Sequence, residues 1–68
     1  MALNITVDGT ARTLPGALTI RELIEQCNKK DPHLIVERNG VFVYPQDYAH
    51  VRVEDGDRIE LVIPDFGG

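Results

Sequence analysis

Two Asx-Gly pairs, Asp8-Gly9 and Asn39-Gly40, constrain this chain more than any other feature, because each demands a tight hairpin. A type I′ turn needs positive φ at both central residues, and Asp, Asn and Gly are the residues that tolerate it. Before the first pair, Leu3, Ile5 and Val7 alternate with Asn4, Thr6 and Asp8, the period of a half-buried strand. The segment Thr10 to Leu14 is the returning strand, followed by a Pro15-Gly16 loop. Around the second pair, Leu34 to Arg38 and Val41 to Tyr44 read as strands three and four, with Pro45 stopping the latter.

Between the hairpins the period changes to that of a helix. Thr19 and Glu22 form a capping-box pair, in which each side chain can satisfy an amide that the first helical turn leaves open. Ile20, Leu23, Ile24 and Cys27 then share one face, with Arg21, Glu22, Glu25 and Gln26 turned outward. This spacing predicts one amphipathic helix over residues 19–30. Lys29 and Lys30 would complement its dipole, and Pro32 would prevent much continuation.

After the second hairpin, Pro45 to Glu54 lacks a clean period and reads as a crossover containing a turn or short helix. Asp55-Gly56-Asp57 is a turn, and Arg58 to Ile63 the last strand, with Ile59, Leu61 and Ile63 expected to face inward. The order is hairpin, helix, short hairpin, crossover, strand. One helix with one apolar face can cover one side of a mixed sheet, so the expected fold is a two-layer α+β domain. The crossover lets the last strand run parallel to the first, in the sheet centre, which is the ubiquitin-like β-grasp layout. Residues 1–63 would form this single domain, and residues 64–68, Pro64-Asp65-Phe66-Gly67-Gly68, a flexible tail.

Size and charge narrow the function. A chain of 68 residues buries only ~60% of its unfolded surface, which favours a small carrier or binding module over an enzyme with its own deep cleft. Asp and Glu number 11 against 7 Lys and Arg, with no basic cluster, so neither nucleic acid nor an anionic membrane is an expected partner. The single cysteine, Cys27, can form no internal disulfide and sits on the apolar helix face as a structural residue. Met1-Ala2-Leu3-Asn4 lacks the character of a signal peptide, so the expected location is cytoplasmic. His33 and His50 have no partners at metal-ligand spacing and read as surface or turn residues. Asp55 and Asp57 are expected to shape their turn, and Tyr44 and Tyr48 to edge the core.

The segments "ITVDG", "LTIRELIEQ", "ERNGVFV", "VEDGDRIELV" and the final "GG" together resemble the sulfur-carrier proteins of the ThiS/MoaD type, over essentially the whole chain. The Asp55-Gly56-Asp57 turn, the apolar strand after it and the Gly-Gly end are the most specific combination. Asn39-Gly40 and the stretch to Pro45 look more like the thiamin branch, whereas the proline after the last strand is closer to the molybdopterin branch. The resemblance implies that an adenylyltransferase of the ThiF/MoeB kind uses ATP and magnesium to adenylate the Gly68 carboxylate. A cysteine desulfurase or other persulfide donor then supplies sulfur, leaving a thiocarboxylate that a thiazole synthase-like acceptor consumes. The carrier would hold no cofactor and no catalytic residue of its own.

Two glycines suit that task because, without Cβ, Gly67 and Gly68 can thread a narrow channel and expose the carbonyl carbon. Beside them, Phe66 could anchor in a partner pocket or fold onto its own domain, and Asp65 could pair with a partner cation. Val62 is expected opposite the inward residues of the last strand, where with Phe42 or Val43 it would form an exposed apolar docking patch. Two other functions fit the same sequence. A ubiquitin-like modifier would be conjugated to lysines through Gly68, and a purely structural β-grasp module would not need its glycines at all.

Overall fold

The computed structural model describes residues 2–64. It contains strands β1 (Leu3–Val7) and β2 (Thr10–Leu14), helix α1 (Ile20–Gln26), strands β3 (Ile35–Arg38) and β4 (Val41–Val43), a 3-10 turn at Pro45–Asp47, and strand β5 (Arg58–Val62). The five strands form one sheet in the order β2-β1-β5-β3-β4. β5 runs parallel to β1 and antiparallel to β3, so the last strand is central. This is the ubiquitin-like β-grasp fold that the element order predicts.

Both hairpin turns have the expected backbone. Asp8 and Gly9 lie at φ 51° and 81°, and Asn39 and Gly40 at φ 54° and 82°, in the left-handed region at both central positions. Asp8 also does more than turn the chain. Its amide donates to the Ile59 carbonyl, and its Oδ1 accepts from the Leu61 amide at 2.9 Å, extending the β1–β5 seam beyond the strand pairing itself.

The helix is shorter than its apolar spacing predicts. Its start is as expected: Thr19 caps it, accepting from the Glu22 amide while Glu22 reaches back to the Thr19 amide at 2.8 Å. Its end comes at Gln26 because Asn28 turns left-handed, at φ 55°. The Lys29 amide then donates to Ile24 and the Asn28 amide to Glu25, the paired bonds of a Schellman cap. Lys29 and Lys30 therefore lie outside the helix, and Asn28 rather than Pro32 stops it.

Capping is worth a measurable share of a domain this small. Thr19→Ala removes the acceptor for the Glu22 amide, so the free energy of unfolding should fall by about 1 kcal/mol. Urea denaturation checks this, and a loss of only a few tenths would mean that water replaces the hydroxyl without penalty.

Ile20, Leu23 and Ile24 of the helix pack on the inner sheet face against Ile5, Val7, Val36, Ile59 and Leu61. Each such burial contributes on the order of 1.5–3 kcal/mol, which makes this single layer the main source of stability. Leu18 and Val53 close one end, where the Val53 amide donates to the Leu18 carbonyl at 2.8 Å. Cys27 is half-buried against this core. Tyr48 is half-buried too, but Tyr44 is 56% exposed rather than at the core edge, because the chain leaves the sheet after Val43.

Candidate functional site

The segment that carries the expected chemistry leaves the sheet from its middle strand. β5 alternates strictly, with Ile59 and Leu61 buried and Arg58, Glu60 and Val62 exposed. Strand pairing stops at Val62, opposite Ile35. Ile63 is therefore not an inward residue: with no ladder to hold the pleat it lies 43% exposed. Asp65, Phe66, Gly67 and Gly68 lie outside the described residues.

A polar cluster fixes where β5 begins. Asp57 is buried at 5% exposure, and both its carboxylate oxygens are hydrogen-bonded. Its carboxylate receives Arg38 Nε at 2.7 Å, the Glu54 amide at 2.8 Å and Asn39 Nδ2 at 3.0 Å. Arg38 also reaches Glu54 at 3.1 Å, and Asn39 Oδ1 accepts from the Arg58 amide at 2.8 Å. The second hairpin turn is thereby tied to the loop before β5. Burial works against the charged form of Asp57, but the bonds from Arg38, the Glu54 amide and Asn39, together with the Arg38 charge, outweigh it and hold the carboxyl below its ordinary value. Asp55 is closer to its expected turn role, exposed and accepting from the Asn4 amide at 2.7 Å.

The sheet face away from the helix carries the expected docking residues. Phe42 is opposite Glu37 on β3, and Val62 is opposite Ile35, so both lie on this face with β3 between them. They are 43% and 46% exposed. Tyr44 joins Phe42 edge to face, with ring centroids 4.7 Å apart. Val43 does not belong to this patch. One residue on from Phe42 it points the other way and is buried in the core. His33 and His50 are exposed on loops, as expected.

With this geometry in view, comparison with known proteins is decisive. The ThiS family matches residues 5–68. The chain belongs to the ThiS family. It is thus a ThiS-type sulfur carrier with a ubiquitin-like fold. A crystal structure of a thiamine biosynthesis protein (ThiS) from Geobacter metallireducens superposes with a TM-score of 0.84 at 29% identity, covering 97% of this chain and all of that one. A solution structure of a thiamine biosynthesis protein from the same organism gives a TM-score of 0.75 at 30% identity, over 97% of this chain and 88% of that one. A thiazole synthase of Paramagnetospirillum magneticum is 30% identical over 66 residues, which is 97% of this ThiS-family chain. The chain spans only 20% of that relative's length.

Sequence reasoning missed the Arg38–Asp57 pair. The Asp-Gly-Asp spelling signals a turn, and nothing in a linear pattern says that the second aspartate is buried against an arginine of another strand. No helix is long and apolar enough to cross a membrane among the described residues.

Proposed function

We propose that this ThiS-family chain carries sulfur for thiamin biosynthesis as a thiocarboxylate on Gly68. The observation that carries the reading is the family match, which runs through the β-grasp body and on through Gly67 and Gly68. An adenylyltransferase uses ATP with magnesium to convert the Gly68 carboxylate into an acyl adenylate, releasing pyrophosphate. The terminal sulfur of a persulfide, supplied by a cysteine desulfurase or an equivalent donor, then attacks the acyl carbon and expels AMP. A thiol cleaves the resulting acyl disulfide and frees the thiocarboxylate, which delivers its sulfur to a thiazole synthase.

The chain contributes an acyl group and an address rather than an acid or base. Gly67 leaves the acyl carbon open to attack, Phe66 and Asp65 meet the partner near the tail, and Val62 and Phe42 dock the body. The similarity to part of a thiazole synthase supports that enzyme as the acceptor. The chain, incubated with ATP, adenylyltransferase and persulfide donor, should gain about 16 Da, the exchange of oxygen for sulfur on a covalently activated acyl group. Intact-mass spectrometry reads this directly. An unchanged mass with the cognate enzymes sinks the proposal, as would Gly-Gly remnants on lysines of other proteins in place of a free thiocarboxylate.

A further inference from the structure

On the outer sheet face, the β3–β5 register sets Glu37 directly opposite Glu60. Like charges directly opposite each other destabilise an antiparallel pair. Among the described residues neither carboxylate has an ion-pair or hydrogen-bond partner. Arg58, two residues before Glu60 on the same strand face, makes no ion pair with either. Its guanidinium lies over the Asn39-Gly40 turn, with Nη2 3.8 Å from where a Cβ on Gly40 would sit. In the free chain the register thus sets two acidic residues opposite each other with no ion-pair partner among the described residues.

The surroundings of the two carboxylates are apolar. Phe42 flanks Glu37 across β4, Ile35 and Val62 form the next cross-strand pair, and Tyr44 extends the patch through Phe42. Two acidic residues opposite each other in register, framed by exposed apolar side chains, match a cation set among apolar groups, and a planar guanidinium can bridge two carboxylates. A second copy of this chain does not fit, because a molecule of net charge -4 would set acid against acid.

We infer that Glu37 and Glu60 form the ionic anchor of the docking face, and that it receives an arginine or lysine displayed among apolar side chains on thiazole synthase. This rests on the carrier reading above. Val62 belongs to both the patch and β5, the last strand before residues 64–68. The similar segment within a thiazole synthase polypeptide favours that enzyme as the occupant. The paired charges cost the free chain stability and add affinity and partner discrimination in the complex.

Two measurements on the full chain, each made on wild type, E37Q and E60Q, test the inference. Thermal unfolding of the free chain should show midpoints about 2–5 °C higher in either variant, as the repulsion is removed. Calorimetric titration into purified thiazole synthase from the same organism should show affinity about 10-fold lower for each variant, with a weaker dependence on salt. A rise in midpoint with unchanged affinity overturns the anchor, as does stronger binding by the variants. Tight wild-type binding to the adenylyltransferase with none to thiazole synthase overturns the occupant. If the wild-type chain never gains the thiocarboxylate mass, the carrier reading fails instead, so the two failures are distinguishable.

Discussion

Asp57→Ala is expected to lower the thermal midpoint of the free chain by roughly 10–25 °C, or to leave it largely unfolded at room temperature. Asp57 accepts three hydrogen bonds in a buried position, one of them from the charged guanidinium of Arg38. Removing the carboxylate leaves the Glu54 amide and Asn39 Nδ2 without their acceptor. Arg38 is less exposed to harm, because its side chain is 28% accessible and retains Glu54. A cost of about 2–4 kcal/mol follows, toward the lower end of what breaking a fully enclosed pair costs. Domains of this length have only about 3–10 kcal/mol in hand, so the loss is a large fraction of the whole. Asp57→Asn should not rescue it, since the new amide group sets a donor against donors.

The same residue gives the chain a defined acid limit. Its folded-state carboxyl titrates below the ordinary value of 3.8, so the unfolded chain binds the proton first as pH falls. Its stabilisation is fully present above the unfolded-state value and is lost as pH drops through the folded-state value. Wild type should therefore lose stability steeply below about pH 4, while Asp57→Ala, already weakened, shows a flatter profile in that window. Urea denaturation across the acid range reads both. Parallel profiles for the two proteins would mean that Asp57 is not what sets the acid limit.

Most of the β-grasp body is legible in the sequence because its signals are local. Positive φ at Asp8-Gly9 and Asn39-Gly40 follows from residue type, and the strand faces of β1 and β5 follow from a period of two. The helix start is legible for the same reason, since Thr19 and Glu22 are three residues apart. What escapes is set by contacts between distant segments or by competition at an element's end. Asn28 defeats a helical apolar period by adopting a left-handed cap, and Ile63 defeats a strand period because Ile35 is the last residue that β5 has to pair with. The Arg38–Asp57 bond joins residues 19 positions apart, and the Glu37–Glu60 opposition exists only once β3 and β5 are in register. The candidate site is legible by type and period: Gly67 and Gly68 stand out by residue type and Val62 by its place in a strand period, while Glu37 and Glu60 meet only in the folded sheet.

Loss of loading without loss of fold is the result expected from the tail. The last residue of the hydrophobic core is Leu61, so no side chain beyond it belongs to that cluster among the described residues. Deleting Gly68, or replacing Gly67 by valine, should leave the thermal midpoint within about 1 °C of wild type, because the last residues of a domain commonly contribute little to its stability. Loading should respond very differently. Deleting Gly68 moves the carboxylate one residue, about 3.5 Å, back from where an adenylating site receives it. A displacement of even 1 Å costs about 100-fold in a reaction that depends on positioned attack, so thiocarboxylate formation should be undetectable. Valine at Gly67 keeps the reach but puts a β-branched side chain beside the acyl carbon and narrows the backbone to strand-like angles. Its loading rate should fall at least ~100-fold by the same positional argument, with alanine intermediate. Single-turnover loading followed by intact mass, beside thermal unfolding of the same samples, separates the outcomes. Wild-type loading by the Gly68 deletion would remove the tail from the chemistry. A fall of many degrees in midpoint would instead place the tail in the fold.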